Sequence, residues 1–151
     1  LSVGALVALG VRSAGVRRVV ALEPPLVMSK LWPLAPALRS RWRDDPASRP
    51  FIEAVFGVRG ETAEERTFFH LFEGAPPVDV VAGEVALYPE RPLQRFPSLL
   101  DAPERAWLAE RAGVSLKIAP GAGHNIHVFA APFLIEVLLA ALDKALAASE
   151  P

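Results

Sequence analysis

A serine-containing turn at the start of the chain, Leu1-Ser2-Val3-Gly4-Ala5, limits the folds that this sequence can adopt. These residues match the right-hand part of the motif G-x-S-x-G, a sharp strand-to-helix turn that presents a serine hydroxyl at the top of a sheet. Gly4 fits this turn, because we expect the helix and the preceding strand to approach too closely there for a side chain. The apolar run that follows, Ala5-Leu6-Val7-Ala8-Leu9, predicts a helix buried against that sheet.

The rest of the chain alternates between helical and strand patterns. Strands are predicted over residues 17–22, 78–82 and 114–118. Helices are predicted over 3–14, ended by Gly15, and from a capping box at Asp101 and Glu104 to about 111. A last helix over about 131–148 carries one apolar stripe, formed by Leu134, Val137, Leu138, Ala141 and Leu142. This alternation predicts an α/β fold with a parallel sheet covered by helices. Because three strands make a thin sheet, we expect further strands to precede Leu1.

The segment from about residue 26 to 76 lacks strand character and predicts an inserted helical cap. We expect one helix over Leu31–Arg43, broken at Pro33 and Pro36, and a second from Asp45-Pro46 to Gly57. A third helix is predicted from a capping box at Thr62 and Glu65. Aromatic side chains of the cap are candidates for an apolar substrate pocket, whereas His70 is expected at the surface. The pocket candidates are Trp32, Phe69 and Phe72.

Composition and charge exclude several classes of partner. The net charge of −1 provides no field to attract nucleic acid or an anionic membrane. The absence of cysteine excludes disulfides and thiolate metal sites, and no cluster of ligands calls for a metal or another cofactor. No apolar run reaches the roughly 18 residues that a membrane-spanning helix needs. We expect one domain of cytoplasmic location, with no cofactor and with neither nucleic acid nor a membrane as partner.

A second motif lies near the other end of the chain, at Pro120-Gly121-Ala122-Gly123-His124. It follows the strand predicted over 114–118 and precedes the last helix, so the glycine-rich loop presents a histidine at a strand end. A serine on one such turn, followed much later by a histidine on another, is the chain order Ser, acid, His.

The chain resembles the C-terminal half of an α/β-hydrolase fold protein, from the nucleophile elbow onward. The likeness covers nearly the whole chain and is carried by four segments: Ser2-Val3-Gly4-Ala5, Val19-Val20-Ala21-Leu22-Glu23-Pro24, Val80-Val81-Ala82-Gly83-Glu84 and Pro120-Gly121-Ala122-Gly123-His124. It implies a partial α/β-hydrolase fold, with residues 1–151 as the C-terminal part of one domain. By this resemblance Ser2 is the nucleophile, His124 is the general base and the backbone amide of Val3 is one oxyanion donor.

The acid of the triad is where the sequence departs from the family pattern. The run Gly83-Glu84-Val85-Ala86 places Ala86 where an aspartate is expected. Glu23, at the end of the preceding strand, and Glu84 are the two replacements, and we favour Glu23. His127 is a weaker candidate for the base than His124 because it lacks the flanking glycines, and it is a candidate for the pocket mouth.

The resemblance implies a serine hydrolase that cleaves an ester, thioester or amide of a small apolar compound through an acyl-enzyme. Two alternatives remain open. One is an acyltransferase of the same fold. The other is an inactive binding module, which is suggested by Ala86 at the position of the expected aspartate. Because strands are expected before Leu1, we also expect residues 1–151 alone to be inactive and poorly soluble.

Overall fold

The computed structural model describes residues 1–86 and 96–148 of the chain. The predicted loop from Tyr88 to Pro97 lies for the most part outside the described residues. The strands are β1 (Val19–Leu22), β2 (Val58–Arg59), β3 (Thr62–Ala63), β4 (Val78–Gly83) and β5 (Val114–Ala119). The α-helices are α1 (Val3–Gly10), α2 (Ala35–Asp44), α3 (Arg49–Phe51), α4 (Ala102–Glu110), α5 (Ile126–Phe129) and α6 (Ala131–Ala147). Shorter helical turns of 3₁₀ or π type lie at Met28–Leu34, Pro46–Ser48, Ile52–Phe56 and Phe69–Phe72.

A parallel sheet forms the centre of the first of two compact units, which comprises Leu1–Pro25 and Leu71–Pro151. Its strand order is β1-β4-β5, and both pairings are parallel, as predicted. All six residues of β4 are buried, which explains why this strand is a nearly continuous apolar run. Its one carboxylate, Asp79, is neutralised by Arg18 at 2.8 Å.

The first helix is shorter than predicted. α1 ends at Gly10, and the prediction that it continues to residue 14 is wrong. Beyond its end, Val11 is extended, and the guanidinium of Arg12 donates to the carbonyl oxygens of Leu71 at 2.7 Å and Glu73 at 3.0 Å. α4 begins at the predicted capping box, where the Asp101 amide donates to the Glu104 carboxylate at 3.1 Å.

The last helix packs its apolar residues on one core cluster, but over a narrower stripe than predicted. Leu134, Val137 and Ala141 are buried. Leu138 and Leu142 of the predicted apolar stripe are 44% and 55% exposed, because the helical period places them around the helix from Val137.

The second compact unit comprises Leu26–His70. The prediction that this stretch lacks strands is wrong, because β2 and β3 form an antiparallel hairpin. The predicted capping box at Thr62 and Glu65 is also wrong. The Thr62 hydroxyl donates to the Arg59 carbonyl at 2.8 Å, and the Glu65 carboxylate accepts from the Ser29 amide at 2.9 Å.

The other two helical predictions for this unit are close to the structure. The segment predicted over Leu31–Arg43 is a 3₁₀ turn followed by α2, and Gly57, with φ 67°, ends the next helical run. A Cβ at Gly57 would lie 1.9 Å from the Glu64 carbonyl oxygen, so the hairpin depends on this glycine. None of the helices among the described residues is long and apolar enough to cross a membrane.

Candidate active site

Ser2 lies on a sharp turn before α1, and its backbone has φ 56° and ψ −133°. Residues other than glycine adopt positive φ rarely and at a cost of about 1–3 kcal/mol. The Ser2 amide donates to the Leu22 carbonyl at 2.9 Å, which fixes the turn at the carboxyl end of β1. We expected a close approach of helix and strand at Gly4, but a Cβ there would meet no atom of the described residues within 4 Å.

Glu23 directly follows β1 and is the second residue with an unusual backbone, at φ 50°. Its side chain is completely buried. Three donors surround the carboxylate: the Gly83 amide at 2.6 Å, the Ser98 hydroxyl at 2.7 Å and the Leu99 amide at 2.6 Å. These hydrogen bonds offset the cost of removing the charge from water, which would otherwise be large.

His124 lies on the glycine-containing loop that follows β5. Its amide donates to the Phe96 carbonyl at 2.7 Å, and the Phe96 ring packs against the imidazole with 5.2 Å between ring centres. Gly123 is required here because a Cβ would lie 2.0 Å from the Phe96 carbonyl oxygen. Gly83 is required for the same reason, since its Cβ would lie 2.3 Å from the Gly123 carbonyl oxygen.

The carboxylate of Glu23 faces the imidazole of His124. Glu23 Oε2 lies 3.5 Å from His124 Nδ1, at the long limit of a hydrogen bond, and the His124 side chain is only 12% exposed. A carboxylate beside Nδ1 favours the tautomer in which Nδ1 is protonated and Nε2 can accept a proton. Within the part of the chain that the structure describes, the Ser2 hydroxyl makes no hydrogen bond with this ring.

Glu84, the other candidate acid, makes a different contact. Its side chain is exposed, and Oε2 accepts from the Gly121 amide at 2.7 Å. It therefore holds the turn of the histidine loop, while Glu23 is the carboxylate that reaches the imidazole. The amide of Val3 lies in the first turn of α1 and has no acceptor among residues 1–86 and 96–148.

The residues that the sequence predicts for the substrate pocket differ in exposure and packing. His127 is exposed on α5. Phe72 is 6% exposed and packs edge-on against Trp107 at 5.4 Å, so its ring offers little surface to a ligand. Trp32 and Phe69 belong to the Leu26–His70 unit and stay predictions as pocket residues, and His70 is exposed there as expected. In the described ranges, no group of three His, Asp or Glu side chains is arranged to hold a metal ion.

Sequence reasoning missed two residues that contact the candidate site, Phe96 and Ser98. They follow a proline-rich stretch with no motif of its own. The separation of 75 residues between Ser98 and Glu23 leaves no periodic or spacing signal that could have paired them.

No family model and no curated protein matches this chain. Two solved structures are similar to it. An E-2-(acetamidomethylene)succinate hydrolase has a TM-score of 0.51 and 17% identity, over 94% of this chain and 64% of the hydrolase. An esterase from Pyrococcus furiosus has a TM-score of 0.49 and 20% identity, over 90% of this chain and 48% of the esterase. The chain thus spans less than two thirds of each of these proteins.

Proposed function

The chain has a partial α/β-hydrolase fold, as its sequence predicts, and on that fold we propose that it carries the catalytic residues of a serine hydrolase. The observation that carries the proposal is the contact between Glu23 Oε2 and His124 Nδ1 at 3.5 Å. These two residues follow the carboxyl ends of β1 and β5, where ligands of open α/β sheets bind. The hydrogen bond from the Ser2 amide to Leu22 brings the serine turn to the same end of β1.

The proposed reaction begins at the Ser2 hydroxyl. Its oxygen attacks the acyl carbonyl carbon while its proton passes to Nε2 of His124. Glu23 stabilises the resulting imidazolium through Nδ1. The proton then passes from Nε2 to the leaving group as the bond between the acyl carbon and that group breaks. Water then attacks the acyl carbon while its proton passes to Nε2 of His124. The acid is released as the bond to the Ser2 oxygen breaks and that oxygen takes the proton back from Nε2.

The amide of Val3 is the proposed oxyanion donor. It has no acceptor among the described residues and lies beside Ser2 in the first turn of α1. A free amide in this position can donate to the negative oxygen of the tetrahedral intermediate. Removal of one such donor typically costs about 3–4 kcal/mol of transition-state stabilisation.

The proposed substrate is an ester, thioester or amide of a small apolar compound. The similar structure with a TM-score of 0.51 is a hydrolase by name, which supports hydrolysis as the reaction class. An acyltransferase would form the same acyl-serine and differ only in the acceptor. Product analysis with an added alcohol or thiol distinguishes the two, because a transferase yields the new ester or thioester.

One observation favours the inactive binding module instead. The Ser2 hydroxyl does not hydrogen-bond to the His124 ring within the described residues, and such a pair is the minimum for an activated serine. Catalytic hydrogen bonds are, however, often long in unliganded enzymes and tighten when substrate binds.

Turnover of a short-chain p-nitrophenyl ester by the full-length protein tests the proposal. We expect a burst of p-nitrophenol equal to the enzyme concentration, followed by slower steady turnover. Ser2→Ala should abolish the burst, and Ser13→Ala is the matched control because Ser13 lies away from the sheet end after α1. A folded wild-type protein without turnover on esters, thioesters and amides would contradict the hydrolase and favour the binding module.

A further inference from the structure

The segment Phe96–Leu99, here called the strap, contacts both members of the carboxylate–imidazole pair. At one end the Phe96 carbonyl accepts from the His124 amide at 2.7 Å. At the other end the Ser98 hydroxyl and the Leu99 amide donate to opposite oxygens of Glu23, at 2.7 and 2.6 Å. The strap therefore joins the loop that bears the histidine to the side chain that bears the acid.

The strap is itself held by the segment that follows β4, and the next residue along the chain, Leu100, is held by α4. The Ser98 amide donates to the Val85 carbonyl at 2.8 Å. Arg105 of α4 donates through Nε to the Leu100 carbonyl at 2.7 Å. Ser98 is completely buried, so its hydroxyl does not exchange partners with water.

The direction of the Ser98 hydroxyl proton follows from its neighbours. The Leu100 amide donates to Ser98 Oγ at 3.2 Å, which occupies the oxygen as an acceptor. The hydroxyl proton then has two acceptors, Glu23 Oε1 at 2.7 Å and the Leu100 carbonyl at 3.3 Å. The shorter bond to a charged oxygen is the stronger one, so the proton points to Glu23.

The two oxygens of Glu23 therefore have different hydrogen-bond partners. Oε1 accepts from the Gly83 amide and the Ser98 hydroxyl, whereas Oε2 accepts from the Leu99 amide and faces His124 Nδ1. The terminal torsion of a glutamate is broad and two-fold, so donors at both oxygens are what fix the plane of the carboxylate.

We propose that Ser98 is a positioning residue that fixes the carboxylate of Glu23 so that Oε2 is presented to His124. The proposal rests on the proposed function, in which that carboxylate orients the imidazole. Loss of the Ser98 hydroxyl leaves one donor on each oxygen, the Gly83 amide on Oε1 and the Leu99 amide on Oε2, so the carboxylate is held less firmly opposite Nδ1. We expect Ser98→Ala to lower kcat about tenfold and to leave KM within about twofold, since Ser98 is completely buried and offers no surface to a substrate.

Steady-state kinetics and proton NMR of the full-length protein test this proposal together. The variants are Ser98→Ala, Ser98→Thr, which keeps the hydroxyl, and Ser115→Ala. Ser115 is the matched control, because it is a serine of β5 whose hydroxyl makes no hydrogen bond in the described part of the chain. If Ser98→Ala does not fold, Ser98→Cys replaces it, since a thiol fills the same space and is only a weak donor.

The NMR readout is the low-field proton resonance of an imidazole Nδ1–H held by a carboxylate. We expect this resonance in the wild type, Ser98→Thr and Ser115→Ala, and its loss or upfield shift in Ser98→Ala. An unchanged kcat and an unchanged resonance in Ser98→Ala would overturn the proposal. So would an equal fall in kcat for Ser115→Ala, or absence of the resonance from the wild type.

The two readouts separate this proposal from the hydrolase itself. If the wild type has no turnover, the proposed function fails, and the resonance alone decides the role of Ser98. If the wild type is active and Ser98→Ala matches it in kcat and resonance, the hydrolase stands and the positioning role fails.

Discussion

Ser2 and Glu23 are the only non-glycine residues with positive φ among the residues that the structure describes, at 56° and 50°. Each conformation costs about 1–3 kcal/mol, and such strain persists only where the surrounding structure holds it. Here the Ser2 amide bonds to Leu22, the residue before Glu23, and the Glu23 amide bonds to Val81. The two strained turns therefore lie side by side at one end of the sheet, where the proposed chemistry takes place.

The choice between the two candidate acids leads to a sharp prediction. Glu23→Gln should lower kcat of the full-length protein about 10³-fold, because an amide in place of the carboxylate no longer stabilises the imidazolium. Glu84→Gln should stay within about threefold of wild type, since Glu84 contacts the Gly121 amide and not the ring. Both are measured as kcat on the same ester. A larger loss for Glu84→Gln than for Glu23→Gln would contradict the assignment.

The sequence was sufficient to predict Ser2 and His124 as candidates, because each lies in a local motif of turn residues. It favours Glu23 over Glu84 but carries no pattern that connects either carboxylate to His124. The choice between them depends on the pairing of β1 with β4, which brings the Gly83 amide to the Glu23 carboxylate across 60 residues. Ser98 was missed for the same reason, since its role arises only from tertiary contacts.

The strands of the parallel sheet and the helices α4 and α6 were predicted well because they carry apolar runs or clear start signals, while the short elements were not. The hairpin of β2 and β3 has two residues in each strand, too few for an alternating pattern to be recognised. The Thr62 and Glu65 pair matches a capping box by spacing, but the Thr62 hydroxyl donates to Arg59 within its own hairpin, and Glu65 accepts from Ser29, 36 residues away.

The histidine loop should be intolerant of a single methyl group. Gly123→Ala should destabilise the protein by about 1–3 kcal/mol, because the new Cβ would lie 2.0 Å from a backbone oxygen of Phe96. Gly10→Ala is the control, since its Cβ would have its nearest neighbour at 4.0 Å. Urea unfolding monitored by circular dichroism measures both. Equal stability of the two variants would show that the loop does not pack against Phe96 as described.

Acid should weaken the turn that begins α3. The hydroxyl of Ser48 donates to the Asp45 carboxylate, and this bond is the main reason that the pKa of Asp45 is lowered from its ordinary value. A lowered pKa in the folded state means that the unfolded state binds the proton more readily. The stabilisation is therefore present above about pH 4 and is lost as the pH falls through the folded-state pKa.

Asp45→Asn should accordingly lose less stability than wild type on acidification. The measurement is the urea midpoint at about pH 5.5 and about pH 3 for both proteins. Ser48→Ala should show the same reduced dependence on pH. A midpoint that falls equally in all three proteins would mean that this hydrogen bond makes no contribution.

At the scale of the whole molecule, the parallel sheet leaves strand edges unpaired in the part of the chain that the structure describes, because β1 and β5 each pair only with β4. An exposed strand edge is a template for pairing with a second chain. We therefore predict that residues 1–151 self-associate as the protein concentration rises. Light scattering measures this, and a monodisperse protein at all concentrations would contradict it.

The location of a covalent adduct decides whether this chain carries a serine nucleophile. The full-length protein is treated with a fluorophosphonate, digested, and mapped by mass spectrometry, with Ser2→Ala and His124→Ala as comparisons. We predict one phosphonylated residue, Ser2, with labelling abolished in Ser2→Ala and slowed at least about 10²-fold in His124→Ala, because the imidazole must accept the serine proton. A folded wild-type protein that stays unlabelled at Ser2, or is labelled at another serine, would contradict the catalytic assignment.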